Sequence, residues 1–252
     1  NSAGNIHSLG EKWGYQFFNA PLAILVNKFS ASASEILAGA IQDYDRGLVI
    51  GTETFGKGTV QRVDQLTSGQ LKFTESKFYR VSGSSTQNEG VTPDISLPTI
   101  IDIDEVGENQ LPGALEHDNI PTTRYRDFGR IDPYLDGLKE KNKQRISQSI
   151  FYQNLNKRKE WRELQQIDWL ELNLEKRKAI KDKTEKELLA LENSLRSQMN
   201  LKTFPTYQEF LDREDDPDKI SFDKKEIRET ANILIDLIES KNKTTIASLE
   251  VG

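Results

Sequence analysis

Apolar positions along the chain follow two regimes. Between residues 21 and 98, short apolar runs alternate with polar, glycine-rich stretches. "PLAILV" at 21–26 is the longest apolar run, well short of the roughly 20 residues that span a bilayer and suited to a buried strand. Ile36, Leu37, Ala40 and Ile41 then recur at helical spacing within 34–44, and "GLVIG" at 47–51 predicts a second buried strand. Strand, helix and strand over about thirty residues predict a βαβ unit with a right-handed crossover. "VQRVDQL" and "QLKFTESKFYRVSG", separated by "TSG", alternate polar and apolar residues and predict an antiparallel addition. "NEGVTPDISLP" closes this half with turn signals at Gly90 and Pro93.

Beyond it, "DIDEVGENQLPGALEHDNIPTTRYRDFGRIDP" reads as a long, turn-rich connector laid over the surface. Helices are predicted over 133–143, 147–166, 183–198, 207–213 and 223–241. In the last, Ile227, Ala231, Leu234, Ile235 and Ile238 form one apolar stripe. Leu170, Leu172 and Leu174 alternate in "WLELNLEKRKA", which predicts a short strand. No sustained heptads support a long coiled coil. The fold class is therefore an α/β subdomain (a mixed sheet with a βαβ unit) over 1–98, a connector over 99–132, and a mainly α-helical C-terminal domain over 133–252.

Charge separates the same two halves. The first 100 residues hold 9 acidic and 8 basic residues, and the remaining 152 hold 31 and 26, the density of solvated helices. The net charge of -6, with both signs interspersed and no basic tract, argues against a nucleic-acid surface. Cysteine is absent, which excludes disulfides, thiolate metal sites and a cysteine nucleophile. His7 and His117 fit no metal-ligand spacing and read as surface or packing residues. The opening "NSAGNIHSLG" has neither an initiator methionine nor a signal peptide, and the chain reads as the middle of a longer protein.

Candidate chemistry begins at "NKFSASASEILAGAIQDY", residues 27–44. Taken alone, Ser32 and Glu35 form a capping box, with the carboxylate three residues on reaching back to a free backbone amide. A nucleophilic serine needs a base, and no histidine is near. A lysine serves once it is neutral, and Lys57 in "TETFGKGTVQ" is the candidate. It lies just beyond the second strand of the βαβ unit, between Gly56 and Gly58, which let the backbone approach closely; the plainer reading is an exposed turn. "GTETFGKG" at 51–58 also comes within one residue of a phosphate-binding loop. There Gly58 replaces the magnesium-binding hydroxyl residue, and a strand-like segment follows instead of a helix.

"FSASASEI", "TFGKGTVQ" and "KFYRVSGSSTQNEGVTPDI" together resemble the tail-specific, or carboxy-terminal processing, serine proteases over roughly 21–98, and the charged helical tail is similar in kind to that branch's C-terminal domain. The resemblance implies a protease subdomain with Ser32 as nucleophile, Lys57 as general base and Gln61 as the residue orienting the lysine. An even offset of four puts Gln61 on the lysine's face if a strand runs through both. The Ala33 backbone amide would be one oxyanion donor, with Ser30 and Ser34 as framework. Glu35 and Asp43, the latter three helical turns from Ser32, are supporting residues, and Asp43 is expected to keep away from Lys57.

The same likeness implies no metal or organic cofactor and a periplasmic location. It implies protein or peptide substrates with accessible C-termini, and leaves room for an adaptor protein or a second copy bound through the helical domain. The family's PDZ domain and the glycine-rich segment donating the second oxyanion amide do not appear, so an incomplete site is expected. The alternative from another class is an inactive fragment acting as an interaction module.

Overall fold

A computed structural model describes residues 4–7, 18–101, 105–165, 169–213, 216 and 218–250. In chain order the elements are β1 (Ala23–Val26), α1 (Ala33–Asp43), β2 (Leu48–Gly51), β3 (Thr59–Gln65), β4 (Gln70–Lys77), β5 (Ile95–Ser96), α2 (Leu135–Gln148), α3 (Ile150–Gln165), α4 (Leu174–Gln198), α5 (Tyr207–Leu211) and α6 (Phe222–Glu250). Two compact units result, one from 1–97, 101–139 and 227–252, the other from 98–100 and 140–226.

In the first unit the apolar runs make a parallel sheet in the order β1-β2-β5. β1 and β2 pair from Ala23 with Leu48 to Val26 with Gly51, and β5 joins through Ile50 with Ile95. All four residues of β2 are buried, as expected of a parallel strand flanked on both sides. Gly51 is required there: at φ 128 a Cβ would sit 1.9 Å from the Val26 carbonyl oxygen. Val26, Ala38, Val49 and Val91 form a core, with Ile24 and Ile41 packed against it. The βαβ unit thus forms over the predicted segments. β3 and β4 differ from the expected mixed sheet: they pair only with each other, as a separate antiparallel hairpin. Most of their residues are exposed, including Val63 at 53%.

The α1 apolar face departs from the sequence reading. Ile36 and Leu37 are 49% and 55% exposed, whereas Glu35, Ala38 and Gly39 are buried. The helix turns its small residues and one carboxylate inward because the carboxylate has four hydrogen-bond donors to satisfy, described below. A Cβ on Gly39 would lie 3.2 Å from Arg80 Nε, so this face also admits the Arg80 side chain.

The second unit packs α3 against α4 in opposite directions. Asn154 Nδ2 donates to the Leu191 carbonyl at 3.0 Å and Trp161 Nε1 to Glu187 Oε2 at 2.8 Å. Phe151, Tyr152, Leu155 and Leu195 form its core, flanked by Ile146, Met199, Ile220 and Phe222. Arg196 is 1% exposed and fully engaged: it donates to Asp216 Oδ2 at 2.7 Å and to the Lys202 carbonyl, and its guanidinium lies 4.3 Å from the Phe204 ring centre.

Two readings of this half are corrected. No strand forms at 170–174: Leu170 and Leu172 are 64% and 85% exposed, and α4 starts at Leu174. Alternation makes a strand only where another strand is available, and here Asn173 instead caps a helix, accepting the Lys176 N–H at 3.1 Å. On α6, Ile227 and Ile235 are 59% and 52% exposed while Ile233 and Leu237 are fully buried, so the packed stripe lies beside the predicted one. That stripe includes Glu229 and Asp236, each of which has an interaction partner, so their charge does not bar burial.

Glu226, buried at 8% on α6, carries a pH dependence. Burial, reinforced by Asp223, pushes its carboxyl up from 4.5 to about 7. The folded form holds the proton more tightly than the unfolded chain. The stability that the protonated group confers is therefore complete below 4.5 and lost as pH rises through about 7. Glu226→Gln is expected to raise the thermal midpoint at pH 8 by on the order of 5 °C and to change it little at pH 4. Equal shifts at both pH values would refute the assignment.

Candidate active site

Ser32 starts α1 in an unusual backbone conformation. Its φ of 57 and ψ of -113 lie where residues with a Cβ are rare, at a cost of about 1–3 kcal/mol. The preceding turn is tightly tied. The Asn27 N–H donates to Ser30 Oγ at 3.1 Å, the Phe29 N–H to Asn27 Oδ1 at 3.0 Å, and the Ser30 N–H to the Asn27 carbonyl at 2.8 Å. The Ser32 N–H donates to Glu35 Oε2 at 2.8 Å, the reach-back of a capping box, and the Glu35 N–H donates to the Ser32 carbonyl at 2.9 Å. The Ala33 N–H, the first of the unpaired amides of α1, has no acceptor among the described residues.

The lysine loop is extended but outside any strand, so its backbone groups need partners elsewhere. Each is met. The Phe55 N–H donates to the Ser30 carbonyl at 2.9 Å, which joins the loop to the serine turn. The Gly56 N–H donates to Glu35 Oε1 at 2.7 Å, the Lys57 N–H to Glu35 Oε2 at 2.9 Å and the Gly58 N–H to Gln87 Oε1 at 2.9 Å. The Gly56 and Gly58 carbonyls accept from Asn88 N–H at 2.8 Å and Phe78 N–H at 3.0 Å. Gly56, at φ 92, would place a Cβ 2.9 Å from the Asn88 backbone, and Gly58 one 2.6 Å from the Gln87 nitrogen.

This arrangement removes the phosphate-loop reading. The three consecutive amides that would cradle a phosphate already donate to internal side-chain oxygens, and β3 follows instead of a helix N-terminus.

Glu35 is the centre of the site. It is 0% exposed, and besides the amides of Ser32, Gly56 and Lys57 it accepts the Thr54 hydroxyl at 2.5 Å. Four donors on two oxygens use the carboxylate's lone pairs and offset its desolvation. Thr54 Oγ1 in turn accepts the Val91 N–H at 2.7 Å. One buried carboxylate thus holds the helix start and the lysine loop together.

Lys57 is half-buried, and its Nζ donates to Gln61 Oε1 at 2.9 Å. Lys57 precedes β3, and the β3–β4 ladder is irregular between Val60 and Gln61, yet the two side chains meet. Asp43 is held elsewhere: its carboxylate accepts Arg80 Nε at 3.0 Å, Arg80 Nη2, and Ser82 Oγ at 3.2 Å. Arg80 Nη2 also reaches Gln42 Oε1 at 2.9 Å, so this pair secures the C-terminal end of α1. Thr54, Arg80 and Gln87 escaped the sequence reading, because none stands at a spacing that links it to Ser32 or Lys57.

Comparison with known proteins matches residues 3–97 to peptidase family S41 and residues 101–239 to the C-terminal domain of tail specific protease (DUF3340). The chain is 43% identical over 182 residues to the tail-specific protease of Haemophilus influenzae, a match covering 67% of this chain and 26% of that one. It is 51% identical over 76 residues to the carboxy-terminal-processing protease of Bartonella bacilliformis, covering 30% of this chain and 18% of the relative. Among solved structures, the photosystem II D1 C-terminal processing protease is 45% identical over 31% of this chain and 20% of that chain, with a TM-score of 0.28. The chain therefore spans about a quarter or less of the length of these relatives, and its two matched segments adjoin in one order: it belongs to the tail-specific branch of the S41 peptidases.

Proposed function

We propose that this chain carries the Ser/Lys dyad of a serine endopeptidase that cleaves proteins near their C-terminus. Neutral Lys57 takes the proton from Ser32 Oγ as that oxygen attacks the peptide carbonyl. The Ala33 N–H and the start of α1 receive the developing oxyanion, and the tetrahedral intermediate collapses as the Lys57 ammonium passes its proton to the leaving nitrogen, which releases the amine and leaves an acyl-enzyme with Lys57 neutral again. Water, deprotonated by the regenerated neutral Lys57, then hydrolyses the ester, and the proton passes back to Ser32 Oγ as the acid product leaves. Gln61 accepts one lysine hydrogen and directs the remaining lone pair. The mechanism uses protein groups and water alone.

The observation that supports this most is the sharing of one buried carboxylate, Glu35, between the Ser32 and Lys57 amides. A capping box needs only the first of these bonds. The strained Ser32 backbone points the same way, since such strain persists where surrounding contacts enforce it and clusters at reacting groups. Substrates with accessible C-termini and a periplasmic location are supported by the likeness to tail-specific proteases. No helix among the described residues is long and apolar enough to cross a membrane.

Hydrolysis of an unstructured peptide by the longest natural form carrying this chain tests the reading. Ser32→Ala should lower the rate at least about 10,000-fold. A variant that cleaves as fast as its parent would remove Ser32 from the chemistry.

A further inference from the structure

The residue after Lys57 is held by a side chain from a distant segment. Gln87 is 0% exposed, and its Oε1 accepts the Gly58 N–H at 2.9 Å. Its Nε2 faces two oxygens, Asn88 Oδ1 at 3.4 Å and Glu108 Oε1 at 3.5 Å. Only the NH2 end of an amide can face a carboxylate, so Glu108 dictates that the carbonyl end of Gln87 turns toward Gly58.

Both holding segments are themselves fixed to the loop. The Asn88 N–H donates to the Gly56 carbonyl at 2.8 Å, and the Gln87 N–H to Ser85 Oγ at 3.0 Å. Glu108 begins a short 3-10 turn in the connector, and its N–H donates to the Phe55 carbonyl at 2.9 Å. Glu108 is itself buried at 9%. The connector therefore reaches the lysine loop through both its backbone and a carboxylate.

We propose that Gln87 is a positioning residue of the Ser32/Lys57 dyad, with Glu108 orienting its amide. Glu35 holds the loop at Gly56 and Lys57, and Gln87 holds it at Gly58, so the Lys57 backbone is anchored on both sides and its side chain projects in one direction. The inference rests on the dyad reading. It explains why this buried position carries an amide: leucine would leave the Gly58 N–H unpaired, and glutamate would set two carboxylates against each other.

Peptide hydrolysis by the longest natural form, with Ser32→Ala alongside, is the test. Gln87→Glu should lower kcat about 100-fold with KM within about twofold, as expected when a base is displaced but the substrate still binds. Gln87→Asn keeps the amide but shortens its reach, and should give a similar loss if Gln87→Glu fails to fold. The double variant Gln87→Glu with Glu108→Gln restores one donor opposite one acceptor and should return kcat to within about fivefold of the parent. Parent-like kcat in Gln87→Glu or Gln87→Asn, a lowered thermal midpoint with unchanged kcat, or a double variant as slow as the single would overturn the proposal while leaving the dyad. Ser32→Ala cleaving at the parent rate would overturn both.

Discussion

Lys57→Arg should lower kcat/KM on an unstructured peptide by about 1,000-fold or more, with the thermal midpoint within a few degrees of the parent. Arginine retains a long side chain with donors for Gln61, whose Oε1 accepts from Lys57 Nζ at 2.9 Å in the native protein. It also leaves the Lys57 N–H bond to Glu35 intact, because that bond belongs to the backbone. What arginine cannot do is give up a proton near neutral pH and so accept one from Ser32. The substitution separates the donors from the base, and a rate within tenfold of the parent would mean that another group removes the serine proton.

Glu35→Gln should cost about 3 kcal/mol of stability, lowering the thermal midpoint by about 6–12 °C, and should depress hydrolysis beyond what the unfolded fraction explains. The native carboxylate accepts three backbone amides and the Thr54 hydroxyl while fully buried. Glutamine is the same size but presents NH2 where one oxygen stood, so at least one pair of donors loses its acceptor and meets another donor. Either side of the substitution unfastens something: the Ser32 turn and Lys57 share one oxygen, and Thr54 and Gly56 share the other. Thermal unfolding and the peptide assay together check this, and an unchanged midpoint would show that the carboxylate is not the clamp its bonds describe.

Local patterns in the chain carried a good part of the site. Ser32 and Glu35 stand three apart, the spacing of a capping box, and the backbone half of that box is present at 2.8 Å. Lys57 and Gln61 stand four apart and their side chains meet, although the lysine lies outside the strand that the spacing assumed. The remaining Glu35 bonds reach 19 to 22 residues along the chain, and Gln87 lies 29 residues from Gly58. No periodicity encodes such pairs, because they depend on how two loops come together after the sheet has formed.

Apolar patterning served best where burial is two-sided and worst where a helix had more than one face to offer. The continuous apolar runs became β1 and β2: β2, paired on both edges, is buried throughout, whereas β1 pairs only with β2 among the described residues and is fully buried only at Val26. For α1 and α6 the apolar stripe was real, yet Ile36, Leu37, Ile227 and Ile235 face outward. Glu35 and Glu229 are buried instead, since a carboxylate with its donors in place costs little to enclose. Leu170 and Leu172 alternate but have no strand to pair with.

The βαβ unit, the helical second half and the residues proposed as a Ser/Lys pair follow from the chain's own periodicity, spacing and family likeness, all of which are local or linear properties. Which helix face is buried, which side chain closes each backbone amide of the lysine loop, and that a connector residue reaches that loop were settled by folding. These are choices among partners distant in sequence, and the one adopted gives each amide from Phe55 to Gly58 an acceptor and the buried Glu35 carboxylate four donors.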